Sequence, residues 1–226
     1  MFNKFTTAGL SFPAQGSAGF NGTSDFIQTD NPFSHTNHTI AAWVYAESDG
    51  NFKFIFDNRD SGTDGVFILI NSSEQFSYRV NSSSITITPT FSDEWVFISA
   101  TYDGTTQKFY ANGSLISSAT TSQTISTNTN ALIGRNVTAV QEYFNGNLAN
   151  VAIWNRALTS DEINSVMWKP YQALNATESN GLQAWYSLDD IASPTASLAN
   201  MEQLATDKDA TIENTAAITA AINKLS

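Results

Sequence analysis

Phe144 to Glu162 reads F-N-G-N-L-A-N-V-A-I-W-N-R-A-L-T-S-D-E. Asn145-Gly146-Asn147 is a polar turn. After it, Ala149, Val151 and Ile153 fall on one side of an extended chain, and Leu148, Asn150, Ala152 and Trp154 on the other. Such alternation marks a strand with at least one buried face. Thr159 then stands three residues before Glu162, the spacing of a capping box that opens a short helix. The stretch therefore predicts a strand within Phe144–Leu158 running directly into a capped helix.

The rest of the chain supplies further strands. Thr39 to Ala46 places Ile40, Ala42, Val44 and Ala46 on one side and Trp43 and Tyr45 on the other. Phe52–Asp57, Val66–Ile70 and Phe76–Val80 are short β-branched or aromatic runs bounded by Gly, Asn, Asp or Ser. Ile85 and Ile87 alternate with Thr and stop before Pro89. Glu94–Gly113 reads as strand, Asp103-Gly104 turn, strand, Asn112-Gly113 turn, and Asx-Gly pairs supply the positive φ of tight turns. Leu132–Asn136 and Gly181–Asp190 add two more runs. Regular short strands with turn signals between them predict an all-β, antiparallel β-sandwich. Phe2–Phe12 reads as a first edge strand.

Several of these blocks resemble the laminin G-like jelly-roll domains, which share the concanavalin A-like fold. The pattern G-x-I-D-x-V-x-I-[YW]-N-R-A-L-S-x-x-E-I is matched by Gly146, Leu148, Val151, Ile153, Trp154, Asn155, Arg156, Ala157, Leu158, Glu162 and Ile163. Its acidic position is Ala149 here, followed by Asn150. F-N-G-T-S-D-F-I at Phe20 resembles the opening motif, T-I-A-A-W-V at Thr39 an inner strand, and W-V-F-I-S-A-T-Y-D-G at Trp95 a central hairpin. The resemblance runs from Phe20 to Asp190 and implies a jelly-roll sandwich with one short helix.

Composition narrows the class. The chain has 226 residues, no cysteine and only 14 % charged residues, so disulfides and thiol chemistry are absent. A net charge of −11 argues against nucleic acid and anionic membrane surfaces, which call for Lys and Arg clusters. No run approaches the ~20 apolar residues of a membrane-spanning helix. The start, M-F-N-K-F-T-T, has no apolar signal-peptide core. N-x-S/T triplets begin at Asn21, Asn37, Asn71, Asn81, Asn112, Asn136 and Asn175, and they follow from a chain rich in Asn, Ser and Thr. After Pro194 glycine, proline and aromatics vanish. Leu198, Met201, Ala205 and Ile212 fall near heptad spacing. We therefore expect a jelly-roll domain over residues 1–192 and a helical tail over 193–226 for oligomerisation or docking.

Catalysis finds little support. Glycoside hydrolysis needs two carboxylates facing each other about 5–9.5 Å apart, and a jelly-roll glucanase carries them as E-x-D-x-E. No such triplet is present, so the reading is non-enzymatic. His35 and His38 flank a turn but have no third soft ligand. The resemblance implies a calcium ion at the rim, with Asp25 at the acidic position of the opening motif and Asn21 and Asn147 as oxygen donors. Ala149 leaves that site short of charge, and the competing reading is that Asp25 only closes a turn. For glycans, the residues with suitable amide, guanidinium or ring chemistry on rim loops are Asn58, Arg59, Arg135, Asn136 and Tyr143.

Functionally, these features suggest a structural or adhesion protein of a phage particle, a decoration, head-fibre or tail-associated component in the virion. It would carry a lectin-like module for neutral surface glycans and join itself or other virion proteins through its tail. The alternative is a secreted bacterial carbohydrate-binding module or adhesin fragment, extracellular or at the cell surface.

Overall fold

A computed structural model describes residues 16–60, 64–88, 93–125, 129–138 and 142–188. The expected Phe2–Phe12 strand, the boundary at residue 192 and the helical tail over 193–226 lie outside these residues.

The strands in chain order are β1 (Ala18–Asn21), β2 (Ile27–Phe33), β3 (His38–Ala46), β4 (Lys53–Asp57), β5 (Val66–Ile70), β6 (Phe76–Val80) and β7 (Ser83–Ile87). They continue as β8 (Trp95–Tyr102), β9 (Thr106–Ala111), β10 (Ser114–Thr120), β11 (Thr129–Ile133), β12 (Asn145–Trp154) and β13 (Leu182–Tyr186). One helix, α1 (Ser160–Val166), follows β12, and a short 3-10 turn covers Tyr171–Ala173. Two antiparallel sheets form. One has the order β1-β12-β3-β8-β9-β10, with β13 also pairing β12, and the other runs β2-β11-β4-β5-β6-β7. Non-sequential neighbours such as β12 beside β3 are what a jelly-roll sandwich requires.

The alternation expected in β12 is corrected by a bulge. Pairing with β3 shifts register between Ala149 and Ala152, and Asn150 takes φ 49°. Leu148 faces the inter-sheet core, and past the bulge Val151 and Ile153 do so. Ala149, Ala152 and Trp154 face the opposite side. An extra residue resets the parity of a strand, and periodicity alone cannot reveal it. The bulge falls where β12 changes its second partner, from β1 at Leu148 to β13 at Val151.

Two apolar layers result. The main core fills the space between the sheets, with Val44, Ile68, Tyr78, Ile98 and Phe144 fully buried. The second lies on the outer face of the larger sheet, where Trp43, Phe97, Trp154 and Trp185 are covered by Leu158, Ile163, Val166 and Met167. Across the main core, buried His38 of β3 meets Tyr78 of β6 at 2.7 Å. Its Nδ1 lies 2.9 Å from the Thr36 carbonyl, which can only accept, so Nδ1 carries the proton and Nε2 accepts from the Tyr78 hydroxyl. Burial lowers the His38 pKa to about 4 and raises that of Tyr78. Neither nitrogen is available to a metal.

The segment after β12 closes as a clasp. Thr159 and Glu162 form the capping box in both directions, worth about 1 kcal/mol. Arg156 donates twice to the Glu162 carboxylate, at 3.0 and 2.7 Å, and again to the carbonyls of Asn180 and Thr177. Arg156 draws the Glu162 pKa down to about 2. The Trp154 indole donates to the Glu178 carbonyl at 2.8 Å.

The sequon asparagines have a structural use. The side-chain oxygens of Asn21, Asn71, Asn136 and Asn175 each accept the backbone N–H two residues on, from Thr23, Ser73, Thr138 and Thr177. At these four of the seven triplets Asn-x-Ser/Thr spells an Asx turn, whereas Asn81 and Asn112 accept instead from the Gly65 and Phe97 N–H groups.

Candidate functional site

The rim at the end of β1 is built around one asparagine. Asn21 Oδ1 accepts the backbone N–H groups of Thr23 and Ser24 at 2.9 Å and of Asp25 at 3.2 Å, and the Thr23 hydroxyl at 3.1 Å. Asp25 answers: its carboxylate accepts the Asn21 N–H at 3.1 Å and the Ser24 hydroxyl at 3.3 Å. Gly22 sits at φ 72° and donates to the Phe144 carbonyl, so the turn is pinned to the start of β12.

Beside this turn Gly19, Phe20, Asn21, Asp25, Glu47, Gly146 and Asn147 line a concavity of about 240 Å³. The three residues proposed as cation ligands from sequence do come together here. Glu47 joins them, and sequence reasoning missed it. It lies just past β3, where its backbone N–H donates to the Asn145 carbonyl. No motif marks it, since only the β3–β12 register carries it to the rim.

A hard cation needs six to eight oxygens, usually with several charges. The present donors fit that poorly. Asn21 Oδ1 already serves four donors, Asp25 is 3 % exposed and knitted into its own turn, and the Asn147 amide donates to Ser17. The turn is organised by the asparagine oxygen, which accepts all four of those hydrogen bonds. Among the described residues there is no group of three or more His, Asp or Glu side chains disposed to hold a metal.

The five residues proposed for glycans cluster at the neighbouring rim but divide in role. Asn58 is fully buried, donating to the Phe33 carbonyl and accepting from the Val66 N–H. Arg59 pairs with buried Asp57 at 2.6 Å, donates to Asn136 at 3.0 Å and lies 4.4 Å over the Phe67 ring. Asn136 is 4 % exposed and also bonds Glu142. Arg59 and Asn136 lock the loop after β4 to the loop after β11, and Asn58 ties the former to the end of β2 and the start of β5. Arg135 and Tyr143 are half-buried instead. The Arg135 guanidinium lies 4.3 Å over Phe26 and 6.0 Å from Tyr143, and Phe26 and Tyr143 are 6.5 Å apart. Sequence reasoning found the cluster because loops rich in Asn and Arg sit at strand ends. It could not separate the buried members from the open ones, which depends on packing between loops.

The profile of the concanavalin A-like lectin/glucanase superfamily matches residues 21–164, from the rim turn into α1. The chain belongs to this superfamily. Solved structures agree on the fold. A Bacteroides ovatus protein proposed to bind carbohydrate superposes with TM-score 0.63 at 18 % identity, covering 79 % of this chain and 52 % of its own. The chain thus spans about half that protein's length. The heptameric pentraxin of Limulus polyphemus gives 0.52 at 20 % identity, covering 70 % of this chain and 80 % of its own. The CBM40 of the Ruminococcus gnavus IT-sialidase, bound to α2,3-sialyllactose, gives 0.53 at 13 % identity, covering 68 % and 97 %. A search of curated proteins returns no match.

The superfamily's name covers lectins and glucanases, and the roles of four carboxylates bear on that distinction. Glu162 belongs to the capping box, and Asp93 accepts the Ser48 N–H at a strand end. Glu178 is 3 % exposed and held by Lys169 at 2.5 Å and Ser165 at 2.6 Å. Asp57 is fully buried against Arg59. These four carboxylates are each engaged in holding a turn, a loop or a helix.

Proposed function

We propose that this chain is a non-enzymatic, lectin-like module that binds neutral glycans at the rim concavity. The observation that carries the reading is the lining itself. Exposed Glu47 offers an acceptor and Asn147 an amide around a hollow with no Lys or Arg in its lining. Sugar hydroxyls donate well to carboxylates and amides, and a small set of placed polar groups is what a binding site uses for orientation. The Glu47 carboxylate in a lining that has no Lys or Arg disfavours sialylated or other anionic glycans. The carbohydrate ligands in the names of structural relatives add support at the level of fold only. The Asn21-centred turn leads us to propose binding without calcium. In affinity electrophoresis on neutral polysaccharides, Glu47→Gln should weaken retardation about ten-fold, or ~1.4 kcal/mol. Equal retardation of this variant and the native chain would move the site elsewhere.

We propose further that the module is displayed on a phage particle and assembles through residues 193–226. This rests on the charge-poor, cysteine-free composition and the heptad-like tail. Light scattering on the full chain separates it from a secreted bacterial carbohydrate-binding module. A trimer or larger assembly supports display on a virion, whereas a monomer favours the secreted module.

A further inference from the structure

Asn-Gly occurs four times in the chain, at Asn21, Asn112, Asn145 and Asn180. A glycine after asparagine leaves its peptide nitrogen sterically open to attack on the side-chain amide, because it has no Cβ. The fold treats the pairs unequally. Asn21 Oδ1 accepts four hydrogen bonds, and the Gly22 N–H donates to the Phe144 carbonyl. Asn112 accepts the Phe97 N–H at 3.0 Å, and Gly113 is buried with the Asn164 side chain seated against it. Asn145 lies within β12, where its amide donates to Asp49 at 3.1 Å and Gly146 is paired with both Phe20 and Ala46. Asn180 differs. It is exposed, and neither its side-chain amide nor the Gly181 N–H is hydrogen-bonded among the described residues.

The local turn is the reason. The Leu182 N–H donates to the Ser179 carbonyl at 3.1 Å, so Asn180 and Gly181 are the central pair of a β-turn. Gly181 takes φ 77°, as the third position of a type II turn requires. A Cβ there would also come within 2.6 Å of the Asn155 side chain. The turn therefore demands glycine, and the N–H between its central pair closes no hydrogen bond of the turn. The same turn carries the clasp. The Asn180 carbonyl accepts from Arg156 Nε at 2.7 Å, and the Gly181 carbonyl accepts from the Asn155 N–H at 2.8 Å. The next residue, Leu182, is already in register with Trp154.

We infer that Asn180 is a site of spontaneous deamidation and that its isoaspartate product loosens the clasp. The Gly181 nitrogen bonds to Asn180 Cγ and the Cγ–Nδ2 bond breaks. Nδ2 leaves as ammonia, carrying the proton that the Gly181 nitrogen gives up. Water then opens the cyclic imide. Attack at Cγ restores the backbone and leaves aspartate. Attack at the main-chain carbon leaves isoaspartate, in which the chain runs through Cβ and the carbonyl that Arg156 used is a free carboxylate. The extra backbone carbon lengthens the turn against the Leu182–Trp154 register.

The test is ageing of the full chain at mildly alkaline pH, folded and in denaturant, followed by peptide mass spectrometry of every Asn-Gly pair. In the folded chain, conversion should be confined to the Asn180 peptide, which gains the mass difference between NH and O. In denaturant the pairs should convert alike. Conversion of another pair as fast as Asn180 in the folded chain, or none at Asn180, overturns the assignment. The aged fraction rich in isoaspartate should exchange the amide hydrogens of α1 several-fold faster than fresh protein, as a locally loosened element does. Freshly prepared Asn180→Asp, which has the charge without the extra carbon, should match the unaged chain. Equal protection of α1 in the isoaspartate fraction and in fresh protein overturns the loosening.

Discussion

The clasp after β12 and the rim turn after β1 are both short polar segments at strand ends, and both carry motifs of the superfamily. In the clasp, Arg156 spends its guanidinium on Glu162 and two carbonyls, and the Trp154 indole is spent on Glu178. It covers a face of tryptophans and behaves as part of the core. In the rim turn, Asn21 and Asp25 satisfy each other, but Glu47 is exposed and Tyr45 half-buried beside them. The same residue types therefore serve stability in one place and leave surface chemistry available in the other. What separates them is burial: Trp154 is enclosed beneath α1, whereas Glu47 beside the rim turn is exposed.

Substitutions can test that division. Trp154→Ala should have the largest effect, about 4 kcal/mol of lost stability by denaturant titration, because it empties a fully buried site under α1. Acid should act next, on the inter-sheet contact. His38 is neutral in the fold, with a pKa near 4 against 6.5 for an ordinary histidine. Between those values the unfolded chain takes up a proton that the fold refuses. Stability should therefore be fully present above pH ~6.5 and fall by up to about 3 kcal/mol as pH drops to ~4. His38→Gln should flatten that slope. Asn21→Ala removes the acceptor at the centre of the rim turn and should cost about 1–2 kcal/mol, as a lost turn acceptor does. Comparable losses from Asn21→Ala and Trp154→Ala would erase the contrast between rim and clasp. The smallest effect should come from calcium, which we expect to leave the thermal midpoint unmoved, since a ligand that binds only the fold raises it.

Much of the fold was legible in the sequence because its signals are local. Phe76–Val80 and Val66–Ile70 emerge at the bounds expected from their β-branched and aromatic runs, and the Thr159–Glu162 box sets the helix start. The parity of β12 was misread because the Asn150 bulge answers to a distant event, the exchange of β1 for β13 as neighbour. The rim was half legible. Asn21, Asp25 and Asn147 fit motif positions, whereas the place of Glu47 depends on the pairing of β3 with β12, strands far apart in sequence. Asn58, Arg59 and Asn136 showed the right chemistry for a ligand but turned it inward, which only the packing of two loops determines.

The most direct test of the central claim is a glycan array probed with the full chain in EDTA. The account predicts retention on neutral glycans, unchanged when calcium replaces EDTA, and none on sialylated ones. Silence across the neutral set, or binding confined to sialylated or calcium-dependent spots, would contradict it.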